Sequence, residues 1–465
     1  VKNGSHAGFF FACLIYAAIL VASAIVTYPG ILHPEAEVRI PSYLDSRPFL
    51  TKVFDVNIND STWYQAREVS YIFEIADSYF IQACSRIGFP HLLSISNYLS
   101  VFSLTVLTFY ISIKYFKQRS LIIPLLLGVI YITSPASFLG VFFFRNSKEI
   151  LSLALVLLTL FTIRFLERGG ENKRDLVVIG ILAFLASLLD RQGFYIISFL
   201  ACIWFLFYAF FKKKRYYELF LLFLTVSLLN CFYNVILGPF LIRHFEGYTP
   251  DFSYQLGLNN PSTLTAPVNF LSVFTVSRLT MGLQYFLDTF SFLLGNMPMF
   301  LLIPFLGAFG FFLYISLASA VHEWTKRTGI FAGGIIILSV AAIIFLNSIM
   351  LLRHTGMMLP DVERIYYMLP AYTVFVLAAN YVFASKWVYV NHHALYVIII
   401  LSLISILNVL ALPGHNTIIR NGIFIKKYVD VTPLTIDCIA QKNRPPEDFK
   451  LPWTRNTLFC EALRK

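Results

Sequence analysis

Charge is what this sequence has least of. Only 13% of its 465 residues are Asp, Glu, Lys or Arg, against 58% hydrophobic, and its mean hydropathy is +0.71. Water-soluble domains carry about twice that share of charge, so a soluble globule is excluded and an integral membrane protein is expected. A P-loop, a paired CxxC, an HExxH and any repeat of solenoid length are also absent. Without a phosphate-cradling loop an ATP-driven transporter is disfavoured, and any group the protein transfers is expected to be lipid-linked and already in the membrane. Cysteine is sparse. Cys13, Cys202 and Cys231 fall in apolar runs as packing residues, Cys84 stands alone in the first polar loop, and Cys438 and Cys460 share the tail, where an oxidising compartment would permit a disulfide.

What is present is a succession of continuously apolar runs. They predict an all-α, polytopic transmembrane bundle, since an alternating pattern would be needed for a barrel. Spans are expected at 8–28, 92–113, 120–142, 149–166, 176–190, 194–211, 219–242, 297–320, 329–351, 365–384 and 394–412, about eleven in all. The first run is longer than a signal-peptide core and has a weak basic flank, so it reads as a retained span. Residues 268–295 are apolar but broken by Arg278 and Asp288, which suits an interfacial or re-entrant helix; a single crossing there would invert everything downstream.

The excess of Lys and Arg, a net charge of +11, lies in short alternate turns and marks sidedness rather than a nucleic-acid surface. Lys114, Lys117 and Arg119, then Arg168, Lys173 and Arg174, then Lys212, Lys213, Lys214 and Arg215 all fall on one side, as do Lys326, Arg327 and Lys386. That side is expected to be cytoplasmic, with the N-terminus inside and the C-terminus outside. Residues 1–412 then form the membrane domain, 32–91 its first extracytoplasmic loop, and 413–465 a small extracytoplasmic segment.

The first loop is rich in carboxylates, among them Asp55, Asp60, Glu68, Glu74 and Asp77. Asn59, Asp60 and Ser61 read as a helix N-cap with a helix from Thr62, and Val69, Ile72, Phe73, Ala76 and Phe80 give that helix an apolar face for the membrane surface. A carboxylate at such a lipid-facing mouth suits a general base; the competing reading is that Asp60 only caps the helix and the other acids are solvated. The short turns Arg145 to Lys148 and Asp190-Arg191-Gln192-Gly193, and the loop Arg353 to Arg364, bring further charge to the same side. Arg145, Lys148, Arg191, Arg353 and Arg364 suit a phosphate or pyrophosphate, while snorkelling to headgroups explains any one of them alone. Asn230 and Asn234 read as helix–helix hydrogen-bonding residues. His322, His392 and His393 lack metal-ligand spacing, and the sequence names no cofactor and leaves a metal requirement open.

The layout resembles the GT-C superfamily of membrane glycosyltransferases. The likeness rests on a long acidic first outer loop with juxtamembrane helices, a basic-acidic turn after the third span, a charged turn after the fifth, and a late loop leading into Arg364-Ile-Tyr-Tyr-Met-Leu-Pro370. Within that loop Trp63-Tyr-Gln-Ala-Arg-Glu-Val-Ser-Tyr71 is similar to bacterial enzymes that decorate surface glycans. The resemblance implies an inverting transfer from a polyprenyl-phosphate sugar to a glycan or lipid acceptor on the extracytoplasmic face of a bacterial inner membrane. It implies Asp60 as the base, with Asp55 and Glu68 as rivals. Arg191, Arg353 and Arg364 would hold the departing phosphate, with Arg145 and Lys148 in support, and Arg67, Asp190 and Tyr366 would complete the cavity. No adjacent acidic pair of the protein-mannosyltransferase kind follows the first span; Glu35 and Glu37 come nearest. Competing readings are an O-antigen polymerase or ligase, a secondary transporter or flippase, and a structural assembly protein.

Overall fold

The structure is a computed structural model that describes residues 4–27, 34–55, 66–87, 95–134, 136–137, 146–247, 368–384, 388–389 and 393–421. These are helical, with no strand among them. Five of the described helices are long and apolar enough to cross a membrane, which marks the chain as a membrane protein. The expected spans 297–320 and 329–351, the segment 268–295, His322, His392, and Cys438 and Cys460 in the tail lie outside the described residues.

Two compact units make up the chain. The first comprises Val1–Tyr28, Leu99–Leu139 and Ser272–Arg420, the second Pro29–Tyr98, Gly140–Leu271 and Asn421–Lys465. In chain order the helices are α1 (Gly4–Thr27), α2 (Pro34–Tyr43), α3 (Phe49–Phe54), α4 (Glu68–Arg86), α5 (Ile95–Lys114), α6 (Ile122–Thr133), α7 (Ser147–Glu167), α8 (Lys173–Ser187), α9 (Arg191–Phe211), α10 (Lys214–Phe232), α11 (Gly238–Glu246), α12 (Leu369–Phe383) and α13 (His393–Asn421).

In the first unit α6 packs against α1 and α12. Gly128 lets Tyr16 cross close to α6, where its hydroxyl donates to the Pro124 carbonyl at 3.0 Å; a Cβ at 128 would collide with the Tyr16 hydroxyl. Tyr131 stacks on Tyr372, centroids 5.4 Å apart, and hydrogen-bonds Thr373 at 2.8 Å. A span was expected over 120–142, but α6 ends at Thr133. The next residue in sequence after Ser134 is Pro135, whose ring pushes the preceding residue out of the helical region, and Ser134 is indeed extended (φ −67°, ψ 147°). The last helix continues past residue 412, its backbone helical to Asn421.

In the second unit, α7 and α8 form a helical hairpin, as do α9 and α10, and α8 packs on both α9 and α10. The first turn of α9 requires glycine at 193, where a Cβ would collide with the Ala186 carbonyl oxygen. Asn230 of α10 donates to Ser187 Oγ of α8 at 2.9 Å, the expected helix–helix bond, whereas Asn234 donates to Asn230, one turn back on its own segment. A five-residue π turn, Tyr233–Leu237, links α10 to α11. The small helices α2, α3 and α4 of the first loop join this scaffold through a core that includes Tyr43, Phe54, Ile75, Leu188, Tyr233 and Ile242, with Phe54 stacked on Phe245 at 5.3 Å.

Candidate functional site

A buried ionic network lies within the second unit, where the start of α4 meets the N-terminal ends of α7 and α9. Asp190 is the N-cap of α9, its Oδ1 accepting the Gln192 N–H at 3.0 Å. The same oxygen is 2.5 Å from Lys148 Nζ in the first turn of α7. Its other oxygen lies 3.7 Å from Arg67 Nε and 3.5 Å from Ser147 Oγ, and Arg67 Nη2 donates to Ser147 at 3.1 Å. Arg67 and Lys148 are among the largest fully buried side chains. Burial pushes the Asp190 carboxyl up, but the charges of Lys148 and Arg67 and the hydrogen bonds it accepts outweigh this and hold it well below the usual carboxylate range.

The helix of the first loop begins at Glu68. Residues 62–65 lie outside the described residues, but Ala66 and Arg67 are not helical, so no helix runs unbroken from Thr62. Arg67 precedes the helix, its carbonyl accepting the Tyr71 N–H at 3.1 Å, and its guanidinium lies against Ser147 and Asp190.

Two further carboxylates from α4 continue the network. Glu74 accepts from Arg39 at 2.7 Å and from Tyr43 at 3.1 Å, both on α2. Asp77 accepts from the backbone and hydroxyl of Ser96, at 3.0 and 2.6 Å, and from Asn146 Nδ2 at 3.3 Å. Asn146, the residue before α7, also donates to Ser96 Oγ at 3.0 Å and lies 3.2 Å from Ser70 Oγ. Glu74 and Asp77 were counted among the first-loop carboxylates without a site role of their own, and Arg39 and Asn146 were given none. The signal for the α4 pair was a polar repeat at 67, 70, 74 and 77–78, which puts them on one helix face.

Of the candidate site residues, Arg67, Lys148 and Asp190 come together as described. Glu68 is buried in the first turn of α4, and Glu149 is buried beside Lys148 in sequence. Asp55 belongs to a separate group, paired with Arg47 at 2.6 Å, which also holds Asp45 at 2.6 Å. Lys52 ties that turn by donating to the carbonyls of Tyr43 and Asp45. The backbone of Arg191 opens α9; its side chain, and all of Asp60, Arg145, Arg353, Arg364 and Tyr366, lie outside the described residues. Among the described residues no three His, Cys, Asp or Glu side chains converge to hold a metal ion.

No protein-family model matches the chain, and no curated protein matches it.

Proposed function

We propose that the protein is an inverting membrane glycosyltransferase of the GT-C type, with about eleven spans and a cytoplasmic N-terminus. It takes a sugar from a polyprenyl-phosphate donor and passes it to a hydroxyl of a glycan or lipid acceptor on the extracytoplasmic face of a bacterial inner membrane. The observation that carries this reading is the triad of Lys148, Arg67 and Asp190 at the N-terminal ends of α7 and α9. Two cations share one carboxylate, and two long helices add their positive dipole ends. A phosphate brought here meets net positive charge from the triad, together with the amide-rich ends of both helices. Burial strengthens both contributions, because less water screens them.

In the reaction a first-loop carboxylate takes the proton from the acceptor hydroxyl as its oxygen bonds to the anomeric carbon. The bond from that carbon to the phosphate oxygen breaks, its electron pair leaving with the lipid phosphate, and fixed positive charge stabilises the departing group without a second acid. A glycosidase would need two carboxylates across one bond. Asp60 is the first candidate for the base, with Asp55 and Glu68 as rivals; Glu68, buried in the first turn of α4, follows Arg67 in the chain.

The test is transfer by the purified protein in lipid nanodiscs from a panel of labelled polyprenyl-phosphate monosaccharides, with Glu68→Gln, Asp60→Asn and Asp55→Asn beside the wild type. Turnover abolished in one variant that still binds donor identifies the base. Movement of intact donor across the bilayer without bond cleavage would replace this reading with a flippase.

A further inference from the structure

Three helices of the first unit enclose a small cavity. Thr105 and Thr108 of α5, Tyr131 of α6 and Thr373 of α12 bring hydroxyls to it, and the rest of its lining is Gly128 and apolar side chains. Every lining residue is buried, and the cavity measures about 10 Å³. A space of that size holds a single water molecule.

What the cavity offers an occupant follows from counting protons, since a hydroxyl has only one to donate. Thr105 gives its own to the Val101 carbonyl at 2.7 Å, Thr108 to that of Leu104 at 2.7 Å, and Thr373 to that of Leu369 at 2.9 Å. With the Thr373 proton spent, Tyr131 is the donor in its 2.8 Å bond to Thr373. All four hydroxyls have therefore committed their protons, and neither Thr105 nor Thr108 accepts a bond from another described residue. An occupant has to donate. A metal ion or an ammonium group would answer that need, but among the described residues of this unit no buried side chain carries a balancing charge. Water donates two bonds and brings no charge.

We propose that this cavity is the binding site of one water molecule, which donates to a threonine hydroxyl of α5 and to that of Thr373 on α12. The molecule joins helices whose threonines have turned their own protons to carbonyls of the same helix. A polar bridge of this kind ties helices together in a medium where bulk water does not compete for it. The inference is independent of the ionic network and of the reaction proposed above.

X-ray radiolysis of the protein in nanodiscs tests it, because hydroxyl radicals form where water is bound and oxidise the side chains beside it. Oxidation of Tyr131 and Leu104 is expected several-fold above that of Phe165 and Phe223, which are buried as deeply but do not line the cavity. In the double variant Thr105→Val, Thr108→Val it should fall to the level of those phenylalanines. Tyr131 and Leu104 oxidised no more than Phe165 in the wild type would mean a dry cavity and overturn the proposal. Undiminished oxidation in the double variant would overturn it by placing the water elsewhere. After rapid mixing with heavy-oxygen water, the label should enter oxidised Tyr131 more slowly than oxidised Tyr217, which is exposed; equal rates would replace a bound molecule with an open path to bulk solvent. A rise in unfolding temperature when sodium or potassium replaces choline would put a cation in its place. Should the double variant misfold, the wild-type comparison decides alone.

Discussion

The unit built on α1, α6 and α12 handles buried polarity largely one helix at a time. Thr105, Thr108, Ser112, Thr133 and Thr373 each donate to the carbonyl one turn earlier on their own helix. The few bonds between its buried side chains, such as Tyr131 to Thr373, are neutral. In the other unit the buried polar residues include Arg39, Arg67, Glu68, Glu74, Asp77, Lys148, Glu149 and Asp190, and among the described residues no charge is buried in the first unit. A hydroxyl can satisfy itself locally. A buried charge needs partners from other elements, so Asp190 binds α4, α7 and α9 into one arrangement. Taking such charges out of water is costly and rarely worthwhile for stability alone, which is the physical reason for seeking function in the second unit.

The contrast is most sharply broken by removing one partner of the triad. Lys148→Met takes the nearer of two cations from the buried Asp190 carboxylate, and a loss of about 3–5 kcal/mol is expected, read as a lowered unfolding temperature in nanodiscs. Adding Asp190→Asn should recover little of that loss, because it also takes the carboxylate from buried Arg67, and full recovery would mean that Lys148 and Asp190 act as an isolated pair. Gly193→Ala comes next, at about 1–3 kcal/mol, because the new methyl meets the backbone carbonyl of Ala186. Gly128→Ala in the first unit should cost less, since what it meets is the movable ring of Tyr16. Equal losses at the two glycines would show that the α8–α9 turn gives way more easily than its packing suggests.

A pH series sharpens the comparison further. Asp190 binds its proton less readily in the folded chain than in the unfolded one. Its contribution to stability is therefore full above about pH 4, the ordinary carboxylate range, and is lost as pH falls below that towards the folded value. The stability deficit of Asp190→Asn should shrink between pH 7 and pH 3; a constant deficit would count against the ion pair as its source. The smallest effect is expected from Thr373→Val, which removes the Tyr131 partner at about 1 kcal/mol and leaves any activity of the second unit unchanged.

Much of the scaffold was legible because a membrane-crossing helix declares itself by continuous apolar sequence. The helices α7, α9, α10 and α13 fall where the runs at 149–166, 194–211, 219–242 and 394–412 predict them. The turn at Asp190 was legible too, since an acid-base pair in so short a connection calls for compensation, and Lys148 and Arg67 supply it. The inward face of α4 was not. Its period separates Glu74 and Asp77 from Phe73 and Phe80, but period alone does not say which face meets protein. The apolar face was read for the membrane surface and the acids as capping or solvated, so the burial of Glu74 against Arg39 and of Asp77 against Asn146 was not foreseen. Asn146 escaped notice because an asparagine before a helix reads as a cap; here its side chain bonds Asp77 and Ser96 and makes no cap hydrogen bond.

The most direct test of the central claim is to photolabel the protein in nanodiscs with a diazirine-bearing polyprenyl phosphate and map the labelled peptides. The account predicts adducts near the N-terminal ends of α4, α7 and α9 that disappear under excess unlabelled polyprenyl phosphate. Competed labelling confined to α1, α6 and α12, or labelling that excess ligand leaves unchanged, would contradict it.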